Sequence, residues 1–366
     1  MKNIYFTVGP SQIYPGITDE ISVAVKKEIL SLSHRSPEFH KLFDDVCEKL
    51  RSILDIPSTH EIFFINSGTE GMERVIENCV EKTSCHVITG SFGNRFYQSA
   101  IELNKAPLKI EAKWGNGVEL KSKDIPHNVE LVALTHNDTS SGVCLDMKSV
   151  YDLKKNRKDV LIALDTVSSV PSVPLDFSLL DCVFFSVQKG FGLPAGLGVL
   201  IVSPQALAKS FSLQKKEISI GTFHNFPTLK ASADKSETPE TPNVLDLYLF
   251  DKVLDLLLEK GIESIRNTTQ QRAQALYDFF EKSDLFQPVV KDPTVRSVTT
   301  LVIEVKGGST NLLKEAEKQG LIIGAGYGKF ADTQIRVGNF PAHTDQDFAK
   351  LLNFLKSYSK QKQLTR

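Results

Sequence analysis

Residues 182–202 read CVFFSVQKGFGLPAGLGVLIV. Two apolar runs, Cys182–Phe185 and Val199–Val202, bracket a connection rich in glycine and proline. It is too short for a helical crossover, so the second run is expected to return antiparallel to the first. Within it, Ser186-Val187-Gln188-Lys189-Gly190 sets a lysine at the mouth of a wholly apolar strand, where a solvated surface lysine has little reason to be. An earlier apolar run, Val160–Leu164, ends at Asp165. An acid and an amine therefore leave the sheet at the same kind of edge, the carboxyl end at which α/β proteins bind ligands.

Further runs of the same texture precede these at Ile62–Ile65, Val87–Thr89, Leu108–Ile110 and Leu131–Thr135, alternating with helical stretches. Because several are apolar throughout, they read as strands covered on both faces. The expectation is an α/β fold: a seven-stranded, mostly parallel sheet in a three-layer αβα large domain over 16–243. Upstream, Phe39, Leu42, Phe43, Val46, Leu50 and Ile53 recur at helical spacing after Ser36 as N-cap and Pro37. Beyond Pro242, Val244–Lys260 is apolar on nearly every side and should be a helix buried between layers. A helix over Gln270–Glu281, a strand over Ser297–Val305, a helix over Asn311–Gln319, strands at Leu321–Ile323 and Gln334–Val337 and a terminal helix complete a smaller α+β unit. That second domain is expected to comprise 244–366 with the N-terminal arm 1–15, and only the Lys-rich tail after Tyr358 is expected to fray.

The chain has 366 residues, 41% hydrophobic and 24% charged, with a formal net charge of −1. This balance lacks the basic stripe of a nucleic-acid binder. No run is long enough for a membrane span. The cysteines Cys47, Cys79, Cys85, Cys144 and Cys182 are odd in number and show no C-x-x-C spacing, which argues against a disulfide framework and a zinc cage. A cytoplasmic protein is expected. The histidines show no H-E-x-x-H spacing, so no metal site is expected.

Taken alone, Lys189 reads as a turn lysine and Asp165 as a turn aspartate. Together they fit pyridoxal phosphate chemistry: an amine desolvated at a strand end is held toward its neutral, nucleophilic form, and a carboxylate can keep a pyridine nitrogen protonated so that the ring accepts electrons. Asn66-Ser67-Gly68-Thr69-Glu70-Gly71 follows one apolar strand and precedes a helix carrying Met72, Val75, Ile76 and Cys79. Such a turn offers backbone N–H groups and a positive helix end to a phosphate, although an ordinary N-cap has the same look.

The chain resembles the class V branch of fold-type I pyridoxal phosphate enzymes along nearly its whole length. The motifs in order are F-x-x-G-P at Phe6, H-R-S-P-E-F at His34, S-G-T-E at Ser67, G-S-F-G-N-R at Gly90, H-N-D-T-S-S-G-V at His136, A-L-D at Ala163, S-V-Q-K at Ser186, T-P-E-T at Thr238 and I-R-V-G at Ile335. The resemblance implies an aminotransferase in which Lys189 is the Schiff-base lysine and Asp165 the pyridinium partner. It implies that Gly68, Thr69 and Gln188 hold the cofactor phosphate, joined by Thr238 from the neighbouring subunit of a homodimer with shared active sites. Thr139 matches the hydroxyl bonded to the cofactor's ring oxygen, Phe92 (Phe96 under a different gap) the aromatic stacked on the ring, and Arg336 the arginine that takes the substrate carboxylate.

Within class V, the segments around His34-Arg35, Asn137-Asp138-Thr139 and T-P-E-T look most like the phosphoserine aminotransferase branch, in which an arginine matching Arg35 helps bind the substrate phosphate. Three departures stand against that branch: Phe92 replaces a usual Trp, Glu237 a usual Asn, and Lys329-Phe330 a His-Arg pair. H-R-S also occurs in alanine–glyoxylate and serine–pyruvate aminotransferases, which remain the alternative. Other readings have less to carry them. Ser186-Val187-Gln188-Lys189 fits S-x-x-K, but the S-D-N and K-T-G partners are absent. A cysteine desulfurase needs a cysteine well beyond Lys189, and Cys182 is the last. Gly324-Ala325-Gly326-Tyr327-Gly328-Lys329 lacks P-loop spacing.

Overall fold

The structure, a computed structural model, describes residues 3–364. Its strands are β1 (Ile4–Phe6), β2 (Glu61–Ile65), β3 (Ser84–Ile88), β4 (Leu108–Glu111), β5 (Leu131–Thr135), a short pair β6 (Asn137–Asp138) and β7 (Val143–Cys144), β8 (Leu161–Asp165), β9 (Cys182–Ser186), β10 (Gly198–Val202), β11 (Phe286–Pro288), β12 (Thr300–Val305), β13 (Leu321–Ala325) and β14 (Gln334–Gly338). Seven form one sheet in the order β2-β10-β9-β8-β5-β3-β4. Its ladders are parallel except where β10 runs antiparallel to β9 and β2. The short Gly/Pro link after β9 thus produces the reversal its length demands.

Alternate residues of each central strand enter different cores. Val183 and Phe185 of β9, Ile162 and Leu164 of β8, and Val199 and Ile201 of β10 share a core with the helices Pro37–Leu54 and Val244–Lys260. Phe184, Leu161, Ala163, Leu200 and Val202 join the opposite core, under the helices Gly68–Cys79, Ser91–Glu102, Pro204–Lys215 and Phe226–Ala233. Burial on both faces is why these strands carry no polar alternation. In the helix Pro37–Leu54, Ser36 accepts from the Phe39 amide, and Lys49 reaches across to Asp251, 2.5 Å away, in the helix Val244–Lys260.

A second sheet has the order β1-β13-β14-β12-β11. Here β1 adds in parallel to β13, so the N-terminal arm belongs to the ladder of the C-terminal half. The long helices Ile262–Glu281 and Asp345–Leu364 share this sheet's core.

Several boundaries differ from the sequence expectations. The helix expected from Gln270 begins at Ile262, directly after Gly261, whose positive φ of 79° breaks the chain between two helices. Its first turns carry Arg266-Asn267-Thr268, a polar run that masks the buried Ile265 and Thr269. The strand expected from Ser297 begins at Thr300, because the Ser297 hydroxyl accepts from the Thr299 and Thr300 amides and turns the chain. The terminal helix continues past Tyr358 to Leu364. β3 starts at Ser84, where the buried pair Ser84 and His86, bonded at 2.9 Å, hides the strand from a hydropathy reading.

Candidate active site

Lys189 and Asp165 open into one cavity of about 360 Å³ at the carboxyl edge of the parallel strands, a volume at the lower end of small-ligand sites. Asp165 is the last residue of β8, registered beside Thr135 of β5 and Phe184 of β9. Lys189 follows β9, and its carbonyl accepts from the Ser11 hydroxyl at 2.8 Å. Gly9 makes room for the lysine: with φ +141° it lies across the side chain, and a Cβ there would sit 2.6 Å from Lys189 Cε. The N-terminal F-x-x-G-P segment is in this way part of the site.

Burial governs the electrostatics. It pulls the Lys189 amine down from 10.5 to about 8, against the pull of Asp165 and Asp138 in the other direction and with help from Arg336. It pushes the Asp165 carboxyl up to about 6, although the Val167 amide, donating at 2.9 Å, and Lys189 favour the charged form. Both groups are therefore poised closer to neutral pH than in water, as expected where proton transfer is performed.

The turn after β2 forms one wall. Ser67 caps the helix Gly68–Cys79 by accepting from the Glu70 amide. Gly68 donates its amide to Ser186 Oγ at 2.6 Å, and a Cβ at Gly68 would collide with Val167. The helix start is thereby pressed onto the end of β9. Gly68, Thr69 and Gln188 all line the cavity.

Phe92, Thr139 and Arg336 line it as well. The Phe92 ring lies 5.1 Å from Lys189 Nζ, whereas Phe96 is fully buried in the core against His86 and Phe184. Arg336, on β14 of the second sheet, donates to Ala325 O at 2.7 Å and Thr139 O at 3.3 Å. Its guanidinium carbon lies 5.4 Å from the Tyr327 ring centroid. Burial lowers its pKa, yet a guanidinium stays charged.

His34, Arg35 and Thr238 do not line this cavity. Arg35 pairs with Glu237 at 2.6 Å, and His40 approaches the same carboxylate at 3.3 Å. Thr238 is buried and donates to Glu240 O at 2.7 Å. His34 has its Nε2 buried without a partner and its ring edge-on to Phe39.

Several residues at the site were not singled out by sequence reasoning. Asp138 is fully buried; its carboxylate accepts from the amides of Phe92 and Gly93, each at 3.0 Å, and from Ser140. It caps the helix Ser91–Glu102, whose own N-cap, Gly90, has no side chain to do so. The capless G-S-F-G start is the sequence signal that a cap must come from elsewhere. Asn137 donates to Ser168 Oγ at 2.7 Å and Thr299 Oγ1 at 3.0 Å, leaving its Oδ1 buried and unpartnered. Thr299 belongs to the bend before β12, so this network ties the second sheet to the cavity floor.

The aminotransferase class-V family model matches residues 9–328. A phosphoserine aminotransferase of Rhodococcus opacus is 26% identical over 354 residues, covering 94% of this chain and 92% of that protein. The crystal structure of a phosphoserine aminotransferase from Cytophaga hutchinsonii superposes with a TM-score of 0.94 at 41% identity, covering 97% of this chain and 98% of the other. That of an alanine–glyoxylate aminotransferase from Nostoc sp. shares the fold, with a TM-score of 0.83 at 22% identity over 98% and 95% of the two chains. The family model, matched over most of the length of a chain whose Lys189 and Asp165 line one cavity at the sheet edge, makes the chain a member of the class-V aminotransferases, which depend on pyridoxal phosphate.

Proposed function

We propose that this aminotransferase takes phosphoserine as amino donor and 2-oxoglutarate as acceptor, giving 3-phosphohydroxypyruvate and glutamate. The observation that carries the reading is 41% identity, across 97% of the chain, to the Cytophaga hutchinsonii phosphoserine aminotransferase.

The atoms lining the cavity suit pyridoxal phosphate. Thr135 Oγ1, Asn137 Oδ1 and Gln188 Oε1 are buried without a protein partner, and buried polar groups require one. Gly68, Thr69 and Gln188 would hold the phosphate at the helix start. Thr139 would meet the ring oxygen and Phe92 would cover the ring. When bound, pyridoxal phosphate supplies an aldehyde that takes the substrate amino group and a ring that accepts the electrons of the Cα–H bond.

The protein's own part is positioning and proton transfer. Lys189 would anchor the cofactor through its amine, and that amine is placed to serve as the base that moves the substrate's Cα proton. A pKa of about 8 leaves a useful neutral fraction of this amine near pH 7 to 8. Asp165 would keep a proton on the ring nitrogen. Arg336 binds the substrate carboxylate with the planar fork suited to it.

The reading includes a homodimer in the cytoplasm. Thr238 and Arg35 are of no use to the cavity of their own chain, which supports their acting in the site of a second subunit. All five cysteines are free, and among the described residues no helix is long and apolar enough to cross a membrane.

One contact favours the alternative, a small donor such as alanine or serine with glyoxylate or pyruvate. Glu237 neutralises Arg35, the cation meant for a substrate phosphate. A spectroscopic half-reaction screen of amino-acid donors decides between them. Phosphoserine is expected to react fastest, and Arg35→Ala to slow phosphoserine far more than alanine. Equal losses, or a preference for alanine or serine, would refute the phosphoserine assignment.

A further inference from the structure

We propose that Glu70, His224 and Glu240 form a charged clamp that fixes the turn 66–69 for the cofactor phosphate, with His224 as its positioning residue. The proposal rests on the reading that this turn receives the phosphate, and the test below separates the two.

His224 has no exposed side-chain surface, and both ring nitrogens face carboxylates: Nδ1 is 2.5 Å from Glu70 Oε1 and Nε2 is 2.7 Å from Glu240 Oε2. A neutral imidazole carries one N–H, so it would turn a lone pair toward one of the two acids. Only the imidazolium donates to both. Burial alone would pull its pKa down, but the two carboxylates outweigh that and lift it to about 9. Phe223 stacks on the ring with centroids 3.8 Å apart.

The clamp reaches the turn through Glu70. Its other oxygen accepts from the Asn66 backbone amide at 2.7 Å and from Asn66 Nδ2 at 2.9 Å. One carboxylate thus spans the turn from its first residue, Asn66, to the first helical turn after it. The 220s segment is held along the same helix farther on, where Asn78 accepts from the Phe226 amide and donates to Ile220 O. At its other end the clamp holds Glu240, whose carbonyl takes the Thr238 hydroxyl.

This arrangement answers an electrostatic problem. Glu70 places a negative charge beside a helix N-terminus that is to hold a phosphate, and like charges repel. The buried imidazolium, shared with Glu240, offsets one of the two carboxylate charges while keeping the geometry that Glu70 enforces. Without it, Glu70 and Glu240 would face an unfilled space with no cation, and the turn would be both looser and more negative.

The test compares pyridoxal 5′-phosphate with pyridoxal, which lacks the phosphate. Full-length protein freed of cofactor is titrated with each, following cofactor absorbance, with circular dichroism reporting the fold. The wild type is expected to bind the phosphate ester far more tightly. His224→Gln should reduce that ratio about tenfold or more while leaving pyridoxal affinity unchanged, since a partly buried carboxylate left without its cation is worth about one such factor. The triple variant Glu70→Gln, His224→Gln, Glu240→Gln removes all three charges and should restore most of the ratio, which a purely structural role would not do. Should His224→Gln fail to fold, Glu240→Gln, which removes one negative charge and leaves the imidazolium on Glu70, should hold or raise the same ratio, and a fall in it overturns the clamp. An unchanged ratio in His224→Gln, equal losses for both ligands, or no recovery in the triple variant overturns the clamp. A wild type that binds both ligands alike instead removes the phosphate reading of the turn, and the clamp with it.

Discussion

Replacing Lys189 with Met should make the cofactor-free protein more stable, because the native amine is held where its charge is unwelcome. Lys189 is 8% exposed, and burial takes its pKa from 10.5 to about 8. At pH 7 the lysine is protonated in both the folded and the unfolded chain. The difference between the two pKa values therefore appears as a folding penalty of about 3 kcal/mol. Met keeps the unbranched shape and removes the charge. Part of the gain is lost because Asp165 loses the cation that favours its ionised form, which leaves a net stabilisation of roughly 2 kcal/mol. For a chain of this length that corresponds to a rise of about 3 °C in Tm. A base with a depressed pKa is penalised fully below its folded value and not at all above its unfolded value, so the advantage should shrink as pH rises from 8 to 10.5. Thermal and urea unfolding of the two cofactor-free proteins at about pH 7 and about pH 11, on either side of that window, is the assay. A variant no more stable than wild type at neutral pH, or one whose advantage persists unchanged at high pH, would refute the idea that desolvation poises this amine.

Arg336→Lys should raise KM for carboxylate donors by about 10- to 100-fold with a smaller effect on kcat, since an ammonium cannot donate to Ala325 O and Thr139 O and still offer a planar fork; steady-state kinetics across donor concentrations check this. Asp138→Ala strands the amides of Phe92 and Gly93 at the start of the helix Ser91–Glu102, and urea unfolding should show a loss of about 2–3 kcal/mol. His224 has a folded pKa of about 9, raised above its ordinary 6.5 by Glu70 and Glu240. Its stabilising contribution is complete below pH 6.5 and is lost as pH rises through 9, so the stability gap between wild type and His224→Gln should narrow over that window, from up to about 3 kcal/mol toward zero.

The large sheet was legible because its strands are buried on both faces, so Cys182–Phe185 and Leu161–Leu164 are unbroken apolar runs, too short for a helix and too free of charge for an exposed strand. Lys189 and Asp165 were legible for the same reason: each is a charged residue terminating such a run. Elements in which side chains overrule the local pattern were harder to read. Ser297 bends the chain with its hydroxyl ahead of β12, and the polar run after Ile265 conceals the first turns of an amphipathic helix. Partnerships between distant residues left no trace in spacing at all. Nothing local to Arg35 announces Glu237, and nothing near Glu70 announces His224. Asp138 lay inside a motif that was read, yet its task as a cap belongs to a helix that starts far upstream at Ser91.

The proposed chemistry stands or falls on one buried amine, Lys189, carrying the cofactor. Borohydride reduction of the holoenzyme, followed by mass mapping of its peptides, reads this out without any kinetic assumption. A phosphopyridoxyl group should be found fixed to Lys189 and to no other lysine. A modified lysine elsewhere, or an unmodified Lys189 in active enzyme, would contradict the assignment.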